Sequence, residues 1–259
     1  LENHTHLRFG GSLDFSQAGS LFDNSGLLAG DPKQPVRRIL VALDCTEAVA
    51  GKARETGTDL IVTHHPVIFD PLKTVTAGSI VHQLISAGIS IICAHTNLDL
   101  ARGGVNDHLA RQLGLKCLEG LTPVPCTGRE GKTITEYLGR IAFLPEPMSP
   151  EDFARFVKKR LGGNVRFASG KRAVHRVAVC GGSGADCLSD AIRAGADALV
   201  TSEIKHHIFL LAAQQGITLI DAGHFHTEDV VIEPLCQQLR DAFPEVEVLP
   251  YHLGEIHTL

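Results

Sequence analysis

Three apolar, strand-like runs end in side chains that bind metals. Leu60-Ile-Val-Thr63 runs into His64-His65-Pro66, Ile91-Ile92-Cys93-Ala94 into His95, and Leu219-Ile220-Asp221-Ala222-Gly223 into His224. His95 and His224 each have a carboxylate four residues on, Asp99 and Glu228. In parallel α/β sheets ligands collect beyond the carboxyl ends of strands, and that is where these residues fall. Imidazole and carboxylate donors suit Zn, Fe, Mn, Co or Ni, and no cysteine lies among them to favour a soft thiolate site. His64, His65, Asp99, His224 and Glu228 are therefore the candidate metal ligands. Neighbouring side chains on a strand point to opposite faces, so the adjacent histidines can serve one centre only where the strand stops. Pro66 holds His65 to extended conformations. Two imidazoles that diverge there need not meet on one ion. A lone strand-end histidine is more often a hydrogen-bonded loop residue, and His82, His108, His175, His252 and His257 are read that way.

The elements behind these ends repeat. Arg38-Ile-Leu-Val-Ala-Leu43, a helical stretch, then Gly57-Thr-Asp59-Leu-Ile-Val-Thr63 corresponds to Arg176-Val-Ala-Val-Cys180, a helical stretch, then Gly195-Ala-Asp197-Ala-Leu-Val-Thr201. Gly88-Ile-Ser-Ile-Ile-Cys-Ala94 likewise matches Gly216-Ile-Thr-Leu-Ile-Asp-Ala222. Strands alternating with helices predict an α/β fold. The repeat predicts two similar halves from an internal duplication, each a mostly parallel or mixed sheet flanked by helices, with the metal site between them. The expected division is an unassigned segment 1–22, a first half 23–117, a connecting region 118–148 and a second half 149–259. Gly120, Pro123, Pro125, Gly128 and Gly131 predict loop over 118–134. A helix is expected from Ser149 as cap and Pro150 at its first position, with Phe153, Phe156, Val157 and Leu161 on its apolar face.

Composition bounds the class. The 259 residues are 44% hydrophobic and 20% charged, ordinary for a globular chain with a sizeable core. A formal charge of −5 gives no nucleic-acid signal, and Lys158-Lys159-Arg160 reads as a solvated helix end. No apolar run spans a bilayer and no signal peptide is evident. Position 1 is Leu rather than Met, so the native start is expected to be missing, and His4 and His6 receive no role. The 7 cysteines form no CxxC pair and several lie in apolar runs, which predicts a reducing, cytoplasmic setting.

Thr63-His-His-Pro66, His95-Thr-Asn-Leu-Asp99, Cys180-Gly-Gly-Ser-Gly184 and Asp221-Ala-Gly-His-Phe-His-Thr-Glu228 resemble the signatures of the Nif-three-like dinuclear metal proteins. Many members are labelled GTP cyclohydrolase I type 2 homologues. Asp23-Asn-Ser-Gly-Leu-Leu-Ala-Gly-Asp-Pro32 and Gly139-Arg-Ile-Ala-Phe-Leu-Pro-Glu-Pro147 extend the resemblance from about residue 23 to the C-terminus. The chain is similar to the short members, which lack a domain inserted between the halves. The resemblance implies two divalent ions per chain (Fe, Zn or Mn) held by His64, His65, Asp99, His224 and Glu228. It also implies a toroidal homohexamer, a trimer of dimers, with the sites facing an internal cavity. The family's Thr-Gly-Asp-Ile-Lys-Tyr-His segment reads Thr201-Ser-Glu-Ile-Lys-His-His207 here, so Ser202, Glu203 and His206 change the rim. His226 occupies a variable position and is a candidate extra ligand or proton shuttle.

Paired metals would draw the pKa of a bridging water towards ~7. The leading expectation is metal-assisted hydrolysis of a purine nucleotide, GTP cyclohydrolase type 2-like, or of a related C–N or phosphoester bond. Glu203, Lys205, His206, His95 and His226 are the candidates for orientation, proton transfer or anion contact. Lys205 reads equally as a phosphate partner or a surface lysine. The Gly181-Gly-Ser-Gly184 turn reads as a phosphate cradle at a helix start or as a turn capped by Ser183. The non-enzymatic alternative is a hexameric ring that delivers metal or binds regulatory proteins.

Overall fold

A computed structural model describes residues 24–127 and 132–252, with two short strands nearer the N-terminus. Those strands, β1 (Arg8–Phe9) and β2 (Leu13–Asp14), pair antiparallel. Otherwise 1–22 lies outside the described residues, as do Asp23, Gly128, Gly131 and His257.

The chain forms two compact units, one holding the chain up to Leu98 and taking it back from Ile232, the other holding Asp99–Pro125 and Ile134–Val231. The first unit contains β3 (Gly26–Ala29), β4 (Arg38–Ala42), α1 (Glu47–Thr56), β5 (Leu60–Thr63), α2 (Ile80–Ser86) and β6 (Ser90–Cys93). β4, β5 and β6 pair parallel in that order, and β3 closes the edge antiparallel to β6. Short runs of aliphatic residues without polar alternation suit strands covered on both faces. Leu40, Ile61 and Ile91 pack with Val49, Ala50 and Ala53 of α1 and Leu84 of α2. Thr46 caps α1 by accepting from the Val49 amide, and Gly57 ends it in the left-handed conformation at φ 65.

α3 (Thr96–Leu100) leads into the second unit, which continues with α4 (Val105–Gln112), β7 (Lys116–Thr127), β8 (Thr133–Met148), α5 (Pro150–Leu161), β9 (Arg166–Ala168) and β10 (Val174–Val179). α6 (Leu188–Arg193), β11 (Ala198–Thr201), α7 (His206–Gln215), β12 (Thr218–Asp221) and α8 (His224–Glu228) follow. Its sheet runs β7-β8-β10-β11-β12-β9, and β10, β11 and β12 are mutually parallel. Alternation along β10 sends Val177 and Val179 to one core, with Phe153 and Val157 of α5. It sends Ala178 to the other, with Ala191 and Ala212. Ser149 caps α5 as expected, accepting from the Asp152 amide.

Two differences from the sequence reading stand out. Residues expected to loop over 118–134 instead belong largely to β7 and the start of β8. β7 is an edge strand, where Pro123 and Pro125 need not supply ladder donors. The C-terminal α9 (Ile232–Ala242) and β13 (Glu247–Tyr251) belong to the first unit, and β13 pairs parallel to β4. This long-range pairing, reinforced by the Arg38–Glu247 ion pair, has no local sequence signal. Among the described residues no helix is long and apolar enough to cross a membrane.

Candidate metal centre

In the first unit the ladder continues past β5: the His65 amide donates to Leu43 O at 2.9 Å, and Thr63 Oγ1 donates to His65 O at 2.8 Å. The two rings nevertheless come together, with centroids 4.9 Å apart. His95 joins them at 5.3 Å from His64 and 5.7 Å from His65. One donor nitrogen from each imidazole lies within 4.8 Å of the others. His64 is 1% exposed, and its Nδ1 lies 2.9 Å from Ala94 O. A carbonyl only accepts, so Nδ1 carries the proton and Nε2 becomes the lone-pair donor. His65 is held likewise, with Nδ1 2.7 Å from Asp44 Oδ1.

In the second unit α8 is a single turn that brings His224 and Glu228 onto one face. His224 Nε2 and Glu228 Oε2 are 2.9 Å apart. Ligand atoms that share an ion at about 2.1 Å each sit roughly 3 Å from one another. His224 Nδ1 lies 2.7 Å from Glu203 Oε1, and a carboxylate of Asp99 reaches within 4.8 Å of that of Glu228. Gly182, at φ 61, walls the pair: a Cβ there would overlap Glu228 Oε1 and lie 3.0 Å from His224 Nε2.

The donors fit divalent ions. Three histidines have Nδ1 against an oxygen acceptor and present Nε2, the arrangement that fixes the tautomer of metal-bound imidazoles. Among the described residues no cysteine joins the donor groups; contact with Cys187 and burial push the Cys180 thiol up, with the charges of Asp99 and Glu228 adding to the shift.

The glycine turn departs from both of its readings. The 3-10 turn Ala185–Cys187 has no side-chain cap, so Ser183 does not cap it. Nor do its glycine amides await phosphate. Gly181 N donates to Asn106 Oδ1, Gly182 N to Thr227 Oγ1 and Gly184 N to Thr201 Oγ1. The turn is a wall for Glu228, fixed further by Ser202 Oγ, which donates to Gly182 O at 2.6 Å.

The other candidates separate. His95 groups with imidazole donors, and Glu203 orients His224. Lys205 and His206 are exposed at the start of α7 and enter none of the donor groups. The His226 ring packs on Gly162 and Gly163, where a Cβ on Gly163 would overlap it. Sequence reasoning missed Asp44, Asn106 and Arg140. Asp44 had a signal, since it follows the end of β4 as the histidines follow β5.

A family profile described as Duf34/NIF3 (NGG1p interacting factor 3) matches residues 11–254. The chain belongs to this family. The Duf34/NIF3 relatives include a GTP cyclohydrolase 1 type 2 homolog of Streptomyces coelicolor, 38% identical over 80% of this chain and 74% of that protein. Another of the same name, from Clostridium perfringens, is 33% identical over 85% and 84%. Among solved structures, the Staphylococcus aureus hypothetical protein SA1388 matches with a TM-score of 0.85 at 31% identity, over 93% of each chain. Reduced HcgD from Methanocaldococcus jannaschii matches with 0.73 at 27%, over 91% of each.

Proposed function

We propose that this Duf34/NIF3 protein is a dinuclear metal-dependent hydrolase acting on a purine nucleotide or a related C–N or phosphoester bond. In this reading His64, His65, Asp99, His224 and Glu228 hold two divalent ions, Fe, Zn or Mn. The observation that carries it is the shared tethering of His64, His65 and His224, each with Nδ1 against an oxygen acceptor and Nε2 presented as a donor. Bound ions would supply Lewis acidity toward a substrate oxygen and toward water. Asp44 and Glu203 hold the imidazoles in their ligating tautomer, and burial of Glu228 keeps its carboxylate from wandering into solvent. The imidazole of His95, with its centroid 5.3 Å from that of His64 and 5.7 Å from that of His65, is the side chain placed for proton transfer beside the ions. The relatives' name supports GTP as the first substrate to try. The toroidal hexamer belongs to the same proposal, and exposed Phe69, Leu72 and Val75 support self-association.

Metal analysis of the purified protein should return about two ions per chain, and incubation with GTP should release formate as one water opens the imidazole ring to a formamide and a second hydrolyses that formamide. His65→Ala and Glu228→Ala should abolish release. Turnover that survives both substitutions would overturn the assignment. An absence of turnover across a broad nucleotide panel, with readily exchanged metal, would replace it with metal delivery.

A further inference from the structure

Asn106, the second residue of α4, is 0% exposed, and both ends of its amide are used. Nδ2 donates to Asp99 O at 3.1 Å, and Oδ1 accepts from Gly181 N at 2.8 Å. Asp99 carries one carboxylate. Gly181 opens the turn whose next residue walls the other, that of Glu228. A single side chain therefore ties together the supports of both acidic groups.

The neighbouring residues show that this loop is held throughout. Asp107 accepts from Gly103 N at 2.8 Å and pairs with the buried Arg140. Arg140 in turn donates to Leu100 O at 3.1 Å and Ala101 O at 3.0 Å. The carbonyls of residues 99, 100 and 101 and the amide of Gly103 thus all end on Asn106, Asp107 or Arg140. A buried amide with both ends satisfied resists displacement, because losing either bond leaves a polar group stranded. Asn106 differs from the ion pair in reaching the Glu228 side of the site as well.

We propose that Asn106 is a positioning residue of the metal centre, setting the separation of Asp99 and Glu228 and with it the geometry of the ion they share. The proposal rests on the dinuclear reading above. It gives the buried amide a role beyond packing, since neither of its partners is a side chain that packing alone would select.

The test compares wild type, Asn106→Ala and Thr218→Val. Thr218 is equally buried and gives up one hydrogen bond, to Gly170 N, away from the donors. Each protein is stripped of metal, checked for a cooperative melt and titrated with Co2+, recording calorimetric affinity and the visible Co2+ spectrum. Asn106→Ala should bind roughly 10–100-fold more weakly with a changed spectrum, while Thr218→Val should match wild type in both. Should Asn106→Ala fail to fold, Asn106→Ser carries the same readouts with a polar atom retained. Wild-type affinity and spectrum in the folded Asn106 variant would overturn the proposal and leave the dinuclear reading standing, as would an equal loss in Thr218→Val. Failure of the wild type itself to bind Co2+ would instead sink the dinuclear reading.

Discussion

The parallel triplets β4-β5-β6 and β10-β11-β12 are stapled alike and finished differently. Asp59 Oδ2 accepts from the amides of Arg37 and Arg38 at 2.8 and 3.0 Å. Asp197 Oδ2 does the same for His175 and Arg176 at 3.2 and 2.9 Å. Ser90 Oγ accepts from Asp31 N as Thr218 Oγ1 accepts from Gly170 N. Ala94 N and Ala222 N each donate at 2.8 Å to the threonine that ends the middle strand. Beyond that point the likeness stops. The middle strand of one triplet runs into His64-His65, and that of the other into Ser202-Glu203. The tethering carboxylate comes from the first strand in one, Asp44 on His65, and from the middle strand in the other, Glu203 on His224. The frame tolerates either ending because its staples use the strands, the residues before them and the one amide just past the third strand, while the chemistry is set on side chains that follow the strands.

The sharpest way to break this comparison is to remove the tethers one at a time. Asp44→Asn and Glu203→Gln keep the shape and replace a charged acceptor by a neutral one. Each should weaken metal binding about 10–100-fold, read by titrating the metal-free protein. Both carboxylates are substantially exposed, so water partly replaces them and the lower end of that range is expected. A loss in one variant alone would show that the two tethers are not equivalents.

The shared staples test the other side of the comparison. Asp59→Ala and Asp197→Ala each remove the acceptor of two main-chain amides, one exposed and one partly buried. Each should cost about 1–2 kcal/mol of stability in a denaturant titration, with metal affinity unchanged. Unequal costs, or an effect on metal binding, would mean that the staples reach the strand ends after all.

Much of this was legible because it is local. The strands announce themselves as aliphatic runs, and the donors stand where those runs stop. The spacing of four from His224 to Glu228 is one helical turn whether or not a structure is in hand. What stayed hidden depends on distant partners. Pro123 and Pro125 read as loop until β7 is known to be an edge strand. Gly181-Gly182 reads as a phosphate cradle until its amides are traced to Asn106 and Thr227, 75 and 45 residues away in sequence. Asn106 itself is an unremarked residue in a helix until its two bonds are seen.

The smallest effect separates the triplets by backbone alone. Glu203 sits at φ 54, while His65, its counterpart after the first middle strand, does not have a positive φ. The left-handed region costs a residue with a Cβ about 1–2 kcal/mol, and asparagine enters it more readily. Glu203 is held there by its place between Ser202, bonded to Gly182 O, and the His224 imidazole. Glu203→Asn should therefore recover about 0.5 kcal/mol, raising the melting temperature of the metal-free protein by roughly 1–2 °C. Its shorter side chain should reach His224 less well, so metal affinity should fall as in Glu203→Gln. His65→Asn should give no such gain, because no strain is released there. Stabilisation of both variants, or of neither, would remove backbone strain from the list of differences between the two strand ends.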